Sequence, residues 1–187
     1  MRHLLPQIQI HRQGLSVHAY LERQAVEPTG LLVLPHFAGA ATPYIDTESK
    51  GAIIGMTTAT TVAEIYRGCM EGIAYEMLLN MEYLRDTGVR FKKLQASGGG
   101  AASSLWMQMK ADVLNIPMTA LHTADSGTVG SAMITGAAIG CFGSLQEAAA
   151  QMVREKETYY PDPRQHERYM EIYERYRQLY AALRPLV

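Results

Sequence analysis

The chain has 187 residues, of which 48% are hydrophobic and 19% are charged, a composition typical of a globular protein with a substantial core. Its formal net charge of -1 provides no electrostatic surface for nucleic acid or for an anionic membrane, so neither partner is predicted. The two cysteines, Cys69 and Cys141, are far apart and suggest neither a disulfide framework nor a metal site. We therefore predict a cytoplasmic protein. The scattered histidines form no metal-binding pair, so we predict no metal held by protein ligands alone.

The predicted elements begin with two short strands, over 30–35 and 51–56, because each is an apolar run bounded by turn residues. The next element is a helix over 62–87, whose apolar residues recur at helical spacing. Thr61 and Glu64 form a capping-box pattern at its start. This region therefore predicts two strands followed by one long amphipathic helix.

Strands and helices continue to alternate in the rest of the chain, which favours an α/β layered fold in one domain. Residues 126–146 have nearly the length of a membrane span and no charge, but their many small residues predict a close-packed buried helix instead. In chain order, the remaining predictions are a strand over 93–97, a helix over 104–114, a strand over 118–121, a glycine-rich helix near 128–139, a short helix after Ser144, and a long C-terminal helix beginning at Asp162 and Pro163.

The segment 97–103, Ser-Gly-Gly-Gly-Ala-Ala-Ser, lies between a predicted strand and a predicted helix. Glycine lets the backbone approach a base, a ribose or a phosphate, and the start of the next helix offers unpaired N–H groups and a positive dipole end. The same residues are equally typical of a tight strand-to-helix turn with Ser103 or Ser104 as the N-cap. The segment matches neither the P-loop nor the dinucleotide fingerprint, which disfavours a Walker-type NTPase and an NAD-binding domain.

Three blocks of sequence, in this order and spacing, resemble the FGGY carbohydrate kinases, the family of xylulose, glycerol and gluconokinases. The first block, 30–57, contains Gly-Leu-Leu-Val-Leu-Pro and a later Pro-Tyr-Ile-Asp. The second, 64–75, reads Glu-Ile-Tyr-Arg-Gly-Cys-Met-Glu-Gly-Ile-Ala-Tyr, and the third, 97–114, begins with the glycine-rich segment. Tyrosines at helical spacing in the last predicted helix also fit the family: Tyr169, Tyr173, Tyr176 and Tyr180.

The resemblance implies an actin-like, ribonuclease H-like ATPase fold, an α/β domain with a mixed sheet flanked by helices. Residues 28–187 are expected to form the family's C-terminal, nucleotide-binding domain, and residues 1–27 to lead in from the domain junction. In the family, the glycine-rich turn lies against the adenosine of ATP, and a polar residue at the head of the next helix approaches the base or ribose. By position, the implied nucleotide-binding residues are Gly98, Gly99, Gly100 and Ser103.

The resemblance also implies ATP-dependent phosphorylation of a sugar or polyol by the complete kinase, with Mg²⁺ bound together with the nucleotide. The family's acidic phosphate-binding turn and its catalytic base belong upstream, and the acidic turn does not occur in this sequence. We therefore expect a missing N-terminal kinase domain, assign no catalytic residue, and expect the chain alone to be catalytically incomplete. An uncovered apolar face would allow a homodimer. An alternative of another class is a stand-alone, non-catalytic nucleotide-binding or interaction module derived from the kinase fold.

Individual polar residues of the three blocks and their surroundings are predicted to be structural. Asp46 is interpreted as a structural carboxylate, Asp112 as a solvated or structural one, and Asp125 as the N-cap of the glycine-rich helix. His36 is expected to pack and form hydrogen bonds. Glu71 matches a position of the second block, where the resemblance favours a hydrogen-bonding role at the domain junction.

Overall fold

The structure of the protein is a computed structural model, and it describes residues 20–21, 24, 28–122 and 125–186. The chain forms two compact units, and the predicted division into a lead-in segment, 1–27, and one domain, 28–187, stays a prediction. The first unit comprises Met1–Thr87 and Arg168–Val187, and the second comprises Gly88–Glu167. Most of the predicted lead-in segment, 1–27, lies outside the described residues.

The first unit is built on a two-stranded antiparallel sheet and one long helix. Strand β1 (Leu32–Leu34) pairs with β2 (Ala52–Ile54), and helix α1 spans Val62–Asp86. The helix lies very close to β1, since a Cβ at Gly72 would be 2.3 Å from the carbonyl oxygen of Val33. Glycine at this position therefore allows a contact between helix and strand backbones that a side chain would prevent.

Both ends of α1 agree with the prediction. The Thr61 side chain accepts a hydrogen bond from the Glu64 backbone N–H, and the Glu64 carboxylate accepts one from the Thr61 backbone N–H, which completes the capping box. Gly88 follows the helix with a φ of 94°, in the left-handed region. Two apolar positions of the predicted stripe, Ile73 and Leu84, are 37% and 46% exposed, because the packed face of the helix runs through its glycines.

The predicted long C-terminal helix is divided into α5 (Pro163–Tyr176) and α6 (Leu179–Leu183). Residues of α5 from Arg168 onward belong to the first unit. Their tyrosines surround a buried tyrosine of α1, with ring centroids 5.3–6.3 Å from it, so they form an aromatic core. The rings of this core are Tyr75, Tyr169, Tyr173 and Tyr176.

The second unit contains a mixed sheet in the order β3 (Leu94–Ala96), β4 (Met118–Leu121), β5 (Glu155–Tyr159). Strands β3 and β4 are parallel, and β4 and β5 are antiparallel. The sequence did not predict β5, because its Glu-Lys-Glu-Thr-Tyr is charged and lacks an apolar run. A charged strand is stable here because β5 lies at the sheet edge, where the hydroxyl groups of Thr119 and Thr158 are 2.8 Å apart.

Helix α2 (Ser104–Leu114) follows the glycine-rich segment and supplies most of the core of the second unit. Its buried apolar side chains include Met107, Met109 and Val113, which are at most 1% exposed. Asn115 ends the helix in the left-handed conformation, with a φ of 52°. The boundaries of α2 are those that the sequence predicted.

The prediction of a buried helix within 126–146 is wrong. Within α3 (Ser126–Ala138), which is described throughout, Gly136 alone is buried, and Ile134 is 63% exposed. Its close contact at Gly136 is with the segment that leads to α4 (Leu145–Met152). A Cβ at Gly136 would lie 2.6 Å from the Phe142 ring of that segment. No helix among the described residues has both the length and the apolar character needed to cross a membrane.

Candidate functional site

The glycine-rich segment lies at the carboxyl end of β3, beside the start of α3. Because β3 and β4 are parallel, the loops that follow them leave the same edge of the sheet. The Ser97 hydroxyl donates a hydrogen bond to the Ser126 hydroxyl oxygen at 2.9 Å, which joins the two loops. We call residues 97–103 the glycine turn. This edge is where open α/β sheets bind their ligands.

The three glycines of the turn have different neighbours. Gly98 has a φ of 81°, a conformation that residues with side chains rarely adopt. A Cβ at Gly100 would lie 2.9 Å from the Trp106 ring and 3.7 Å from the Lys110 ammonium nitrogen. A Cβ at Gly99 would have no atom within 4 Å, and Gly99 has no positive φ. The fold therefore requires glycine at 98 and 100 but gives no structural reason for it at 99.

Ser103 is the N-cap of α2, and its side-chain oxygen accepts a hydrogen bond from the Trp106 backbone N–H at 3.1 Å. This is one of the two N-caps that a simple strand-to-helix turn would use. The first N–H groups of α2 therefore lie at the end of the glycine turn, directly after the 3₁₀ helix Gly99–Ala102. The structural role of Ser103 is thus clear, and its contact with a nucleotide stays a prediction.

Lys110 was missed by the sequence analysis, although it lies in the third block. Its ammonium nitrogen is 4.0 Å from the centroid of the Trp106 ring, and the residue is 9% exposed. Burial lowers the pKa of this ammonium group. The four-residue spacing of Trp106 and Lys110 on one helix was the available signal, but only the fold brings Gly100 to the same point.

Asp112 has the structural role that we predicted. The residue is 2% exposed, and its carboxylate accepts hydrogen bonds from the Asp162 backbone N–H and from the Gln108 amide, each at 2.8 Å. Burial raises the pKa of this carboxyl, and the hydrogen bond from Asp162 acts in the opposite direction. Asp112 thus connects α2 to the start of α5.

Asp125 is the N-cap of α3, as the sequence predicted. Its carboxylate accepts hydrogen bonds from the Thr128 backbone N–H at 3.0 Å and from the Thr128 hydroxyl at 2.7 Å. These hydrogen bonds lower the pKa of the carboxyl. An ionised carboxylate that caps a helix in this way has a structural function.

In the first unit, Asp46 and His36 are also held by their neighbours. Asp46 accepts a hydrogen bond from the Tyr180 hydroxyl at 2.8 Å and forms an ion pair with Arg184. The Nδ1 atom of His36 lies 2.8 Å from the Ser49 hydroxyl oxygen, and both residues are buried. The predicted packing role of His36 is confirmed.

Glu71 is fully buried, at 0% exposure, and binds the segment that enters β1. Its carboxylate accepts a hydrogen bond from the Thr29 hydroxyl at 2.7 Å, and the Thr29 backbone N–H lies 3.1 and 3.2 Å from its two oxygens. Burial raises the pKa of Glu71 to about 7, while Thr29 and the charge of Arg67 act in the opposite direction. The predicted hydrogen-bonding role is confirmed, and its place at a domain junction stays a prediction.

In the part of the chain that the structure describes, no three His, Cys, Asp or Glu side chains lie close enough together to hold a metal ion. Mg²⁺ binds through phosphate oxygens and water with only one or two carboxylates in many nucleotide sites.

The chain is similar to known carbohydrate kinases over most of its length. Residues 2–139 match the family model described as "FGGY family of carbohydrate kinases, C-terminal domain". The xylulose kinase of Bacillus subtilis strain 168 is 31% identical over 166 residues, which cover 89% of this chain and 33% of that protein. The glycerol kinase of Deinococcus radiodurans is 31% identical over 150 residues, which cover 80% of this chain and 30% of that protein.

A solved structure gives the same result. The xylulose kinase from Rhodospirillum rubrum has 29% sequence identity and a TM-score of 0.77, over 90% of this chain and 34% of that one. The chain therefore spans about a third of the length of the proteins that it matches. These matches confirm the predicted fold class, an α/β domain of the actin-like ATPase type with a mixed sheet flanked by helices.

Proposed function

This chain belongs to the FGGY family of carbohydrate kinases, as a C-terminal domain, and from that premise we propose that it supplies the adenosine-binding half of the cleft in an ATP-dependent kinase. The acceptor is a hydroxyl group of a sugar or polyol, the class to which the substrates named for the relatives belong. ATP, bound with Mg²⁺, supplies the phosphoryl group that is transferred.

The observation that carries this proposal is the open face of the glycine turn at Gly99. A Cβ at this position would meet no atom within 4 Å, so a flat base or ribose could lie directly on the backbone. The N-terminal N–H groups of α2 are nearby and provide hydrogen-bond donors together with a partial positive charge. A protein with a net charge of only -1 can bind a polyanion through such local geometry.

Phosphoryl transfer needs a positioned acceptor hydroxyl and a group that accepts its proton, in addition to the nucleotide. The carboxylates of Asp46, Asp112 and Asp125 are all occupied by hydrogen bonds with structural roles. We therefore assign no catalytic base within this chain. In our proposal, the base and the phosphate-binding turn come from a first domain, so the chain by itself binds nucleotide without transferring phosphate.

Nucleotide binding can be tested with the chain itself, because Trp106 is its sole tryptophan and packs under Gly100. A titration with ADP, followed by Trp106 fluorescence, should saturate. The variant Gly99→Val places a side chain on the open face, so we expect its affinity for ADP to fall at least about tenfold, with an unchanged unfolding temperature.

The matched control is Gly130→Val, because a Cβ at this α3 glycine also meets no atom within 4 Å. We expect the control to bind ADP as the wild-type chain does. If Gly99→Val also binds ADP normally, the ligand does not lie on the glycine turn. If the wild-type chain gives no saturable signal at millimolar ADP, the turn is a purely structural connection.

A further inference from the structure

We propose that Lys110 is a nucleotide-contacting residue, whose ammonium group donates a hydrogen bond to the nucleoside part of a nucleotide on the glycine turn. This inference rests on the proposed function, because it places the nucleotide on the same turn. It adds a charged side chain of α2 to a site that otherwise consists of backbone and a helix terminus.

The first argument is the burial of a cation without an acceptor. Lys110 is 9% exposed, and its ammonium group contacts the face of the Trp106 ring. In the described parts of the chain, no hydrogen bond or ion pair reaches this ammonium group. Lysine is rarely buried to this degree unless its ammonium group is paired. A contact with one aromatic face provides no acceptor for the three N–H donors.

The second argument is the direction of the Lys110 side chain. Side chains on a helix point toward its N-terminus, and the Lys110 stem accordingly passes Trp106, one turn earlier. The ammonium nitrogen would lie 3.7 Å from a Cβ at Gly100. The cation is therefore directed at the glycine turn and not at the outer surface of α2.

The third argument is electrostatic. The N-terminus of a helix carries a partial positive charge, so a cation is unfavourable there unless a group with negative charge or lone pairs lies beside it. A methionine at position 110 could fill the space over the Trp106 ring without the desolvation of a charge. Packing alone therefore does not explain a lysine at this point, whereas a bound ligand with acceptor atoms does.

The nucleoside is the part of the nucleotide that we assign to this contact. Gly99, next to Gly100, has the open face on which the proposed site holds the base or ribose. The acceptor atoms nearest to the ammonium group of Lys110 would then be ring nitrogens or ribose oxygens, with the phosphates farther away. The assignment predicts that adenosine and ADP depend on Lys110 to the same extent.

The test is a pair of titrations of the 187-residue chain, with adenosine and with ADP, followed by Trp106 fluorescence and compared by their midpoints. We expect Lys110→Met to weaken both ligands by about tenfold, the usual effect of losing a hydrogen bond to a charged group. The control is Lys92→Met, which removes the same charge from an exposed position of the second unit and should leave both midpoints unchanged.

Thermal unfolding separates a binding role from a structural one. Because Lys110→Met removes a buried charge, we expect its unfolding temperature to equal or exceed that of the wild-type chain. A lower unfolding temperature would make Lys110 a structural residue and overturn the proposal. Unchanged midpoints for both ligands would overturn it as well, and a loss confined to ADP would assign the contact to phosphate instead. If the wild-type chain binds neither ligand, the proposed nucleotide site is wrong. That result would contradict the proposed function and not only the role of Lys110.

Discussion

Gly98, Gly99 and Gly100 are chemically identical, and their different surroundings give them different roles. Gly98 is fixed by a φ of 81°, and Gly100 by the Trp106 ring beneath it, whereas Gly99 has open space around it. A tight turn explains the first two glycines, and our proposal assigns the third to contact with a ligand. Of the two interpretations that the local sequence left open, the turn accounts for Gly98 and Gly100, and a nucleotide contact at Gly99 stays a proposal.

At the residue scale, the pKa of Glu71 gives a prediction about stability. Burial raises its pKa to about 7 in the folded chain, from an ordinary value of 4.5. Between these two pH values, the folded state keeps a proton that the unfolded state has released, so the free energy of unfolding falls as the pH rises. This difference in pKa between the folded and the unfolded chain lowers the free energy of unfolding by about 3 kcal/mol at most, and the loss is complete above the folded pKa.

The variant Glu71→Gln cannot titrate and keeps an oxygen that can accept from Thr29. Urea unfolding of both proteins should therefore show the wild-type chain losing stability relative to the variant between about pH 4.5 and 7, and no further change at higher pH. Parallel pH profiles for the two proteins would mean that Glu71 titrates normally in the folded chain.

At the scale of elements, the sequence predicted those helix boundaries that are set by residues close to them in the chain. The capping box of Thr61 and Glu64 located the start of α1, and Asp125 located the start of α3. Strand β5 could not be predicted, because its charged residues are stabilised by pairing with β4, a strand distant in sequence. The exposure of α3 was mispredicted for a similar reason, since its composition does not reveal how many of its sides are covered.

Asp112 provides the element-scale prediction, because it connects α2 to the start of α5. Removing the carboxylate by Asp112→Ala would leave the half-buried Gln108 amide and the Asp162 N–H without this acceptor. We expect a loss of about 2–3 kcal/mol in the free energy of unfolding, measured in urea. Asp112→Asn retains one acceptor oxygen and should lose less. Equal stability of Asp112→Ala and the wild-type chain would contradict the assigned role.

The position of the candidate site was predictable from the sequence, but the roles of its individual residues were not. The glycine turn could be located from three adjacent glycines between a strand and a helix, together with the family resemblance. The distinction between Gly99 and its neighbours depends on a backbone angle and on the position of Trp106, which are properties of the folded chain. Lys110 was missed because a lysine in an amphipathic helix usually faces solvent, and only packing shows that this one is buried.

At the scale of the whole molecule, the chain matches about a third of each relative, and that third is the C-terminal domain of a carbohydrate kinase. In our proposal the glycine turn binds the nucleoside, and the carboxylates of Asp112 and Asp125 accept hydrogen bonds with structural roles. Binding and catalysis should therefore be separable. The chain should bind nucleotide by itself and phosphorylate a sugar or polyol only together with a first domain.

The most direct test is phosphoryl transfer from radiolabelled ATP to a panel of pentuloses, hexoses and polyols. The protein to be tested is a fusion of the first domain of the Bacillus subtilis xylulose kinase with this chain. The matched region of that kinase is 31% identical to this chain. We predict a phosphorylated product from the fusion, none from the chain alone, and a rate reduced at least about tenfold in the fusion that carries Gly99→Val. A folded fusion that binds ADP but phosphorylates no member of the panel would contradict the assignment.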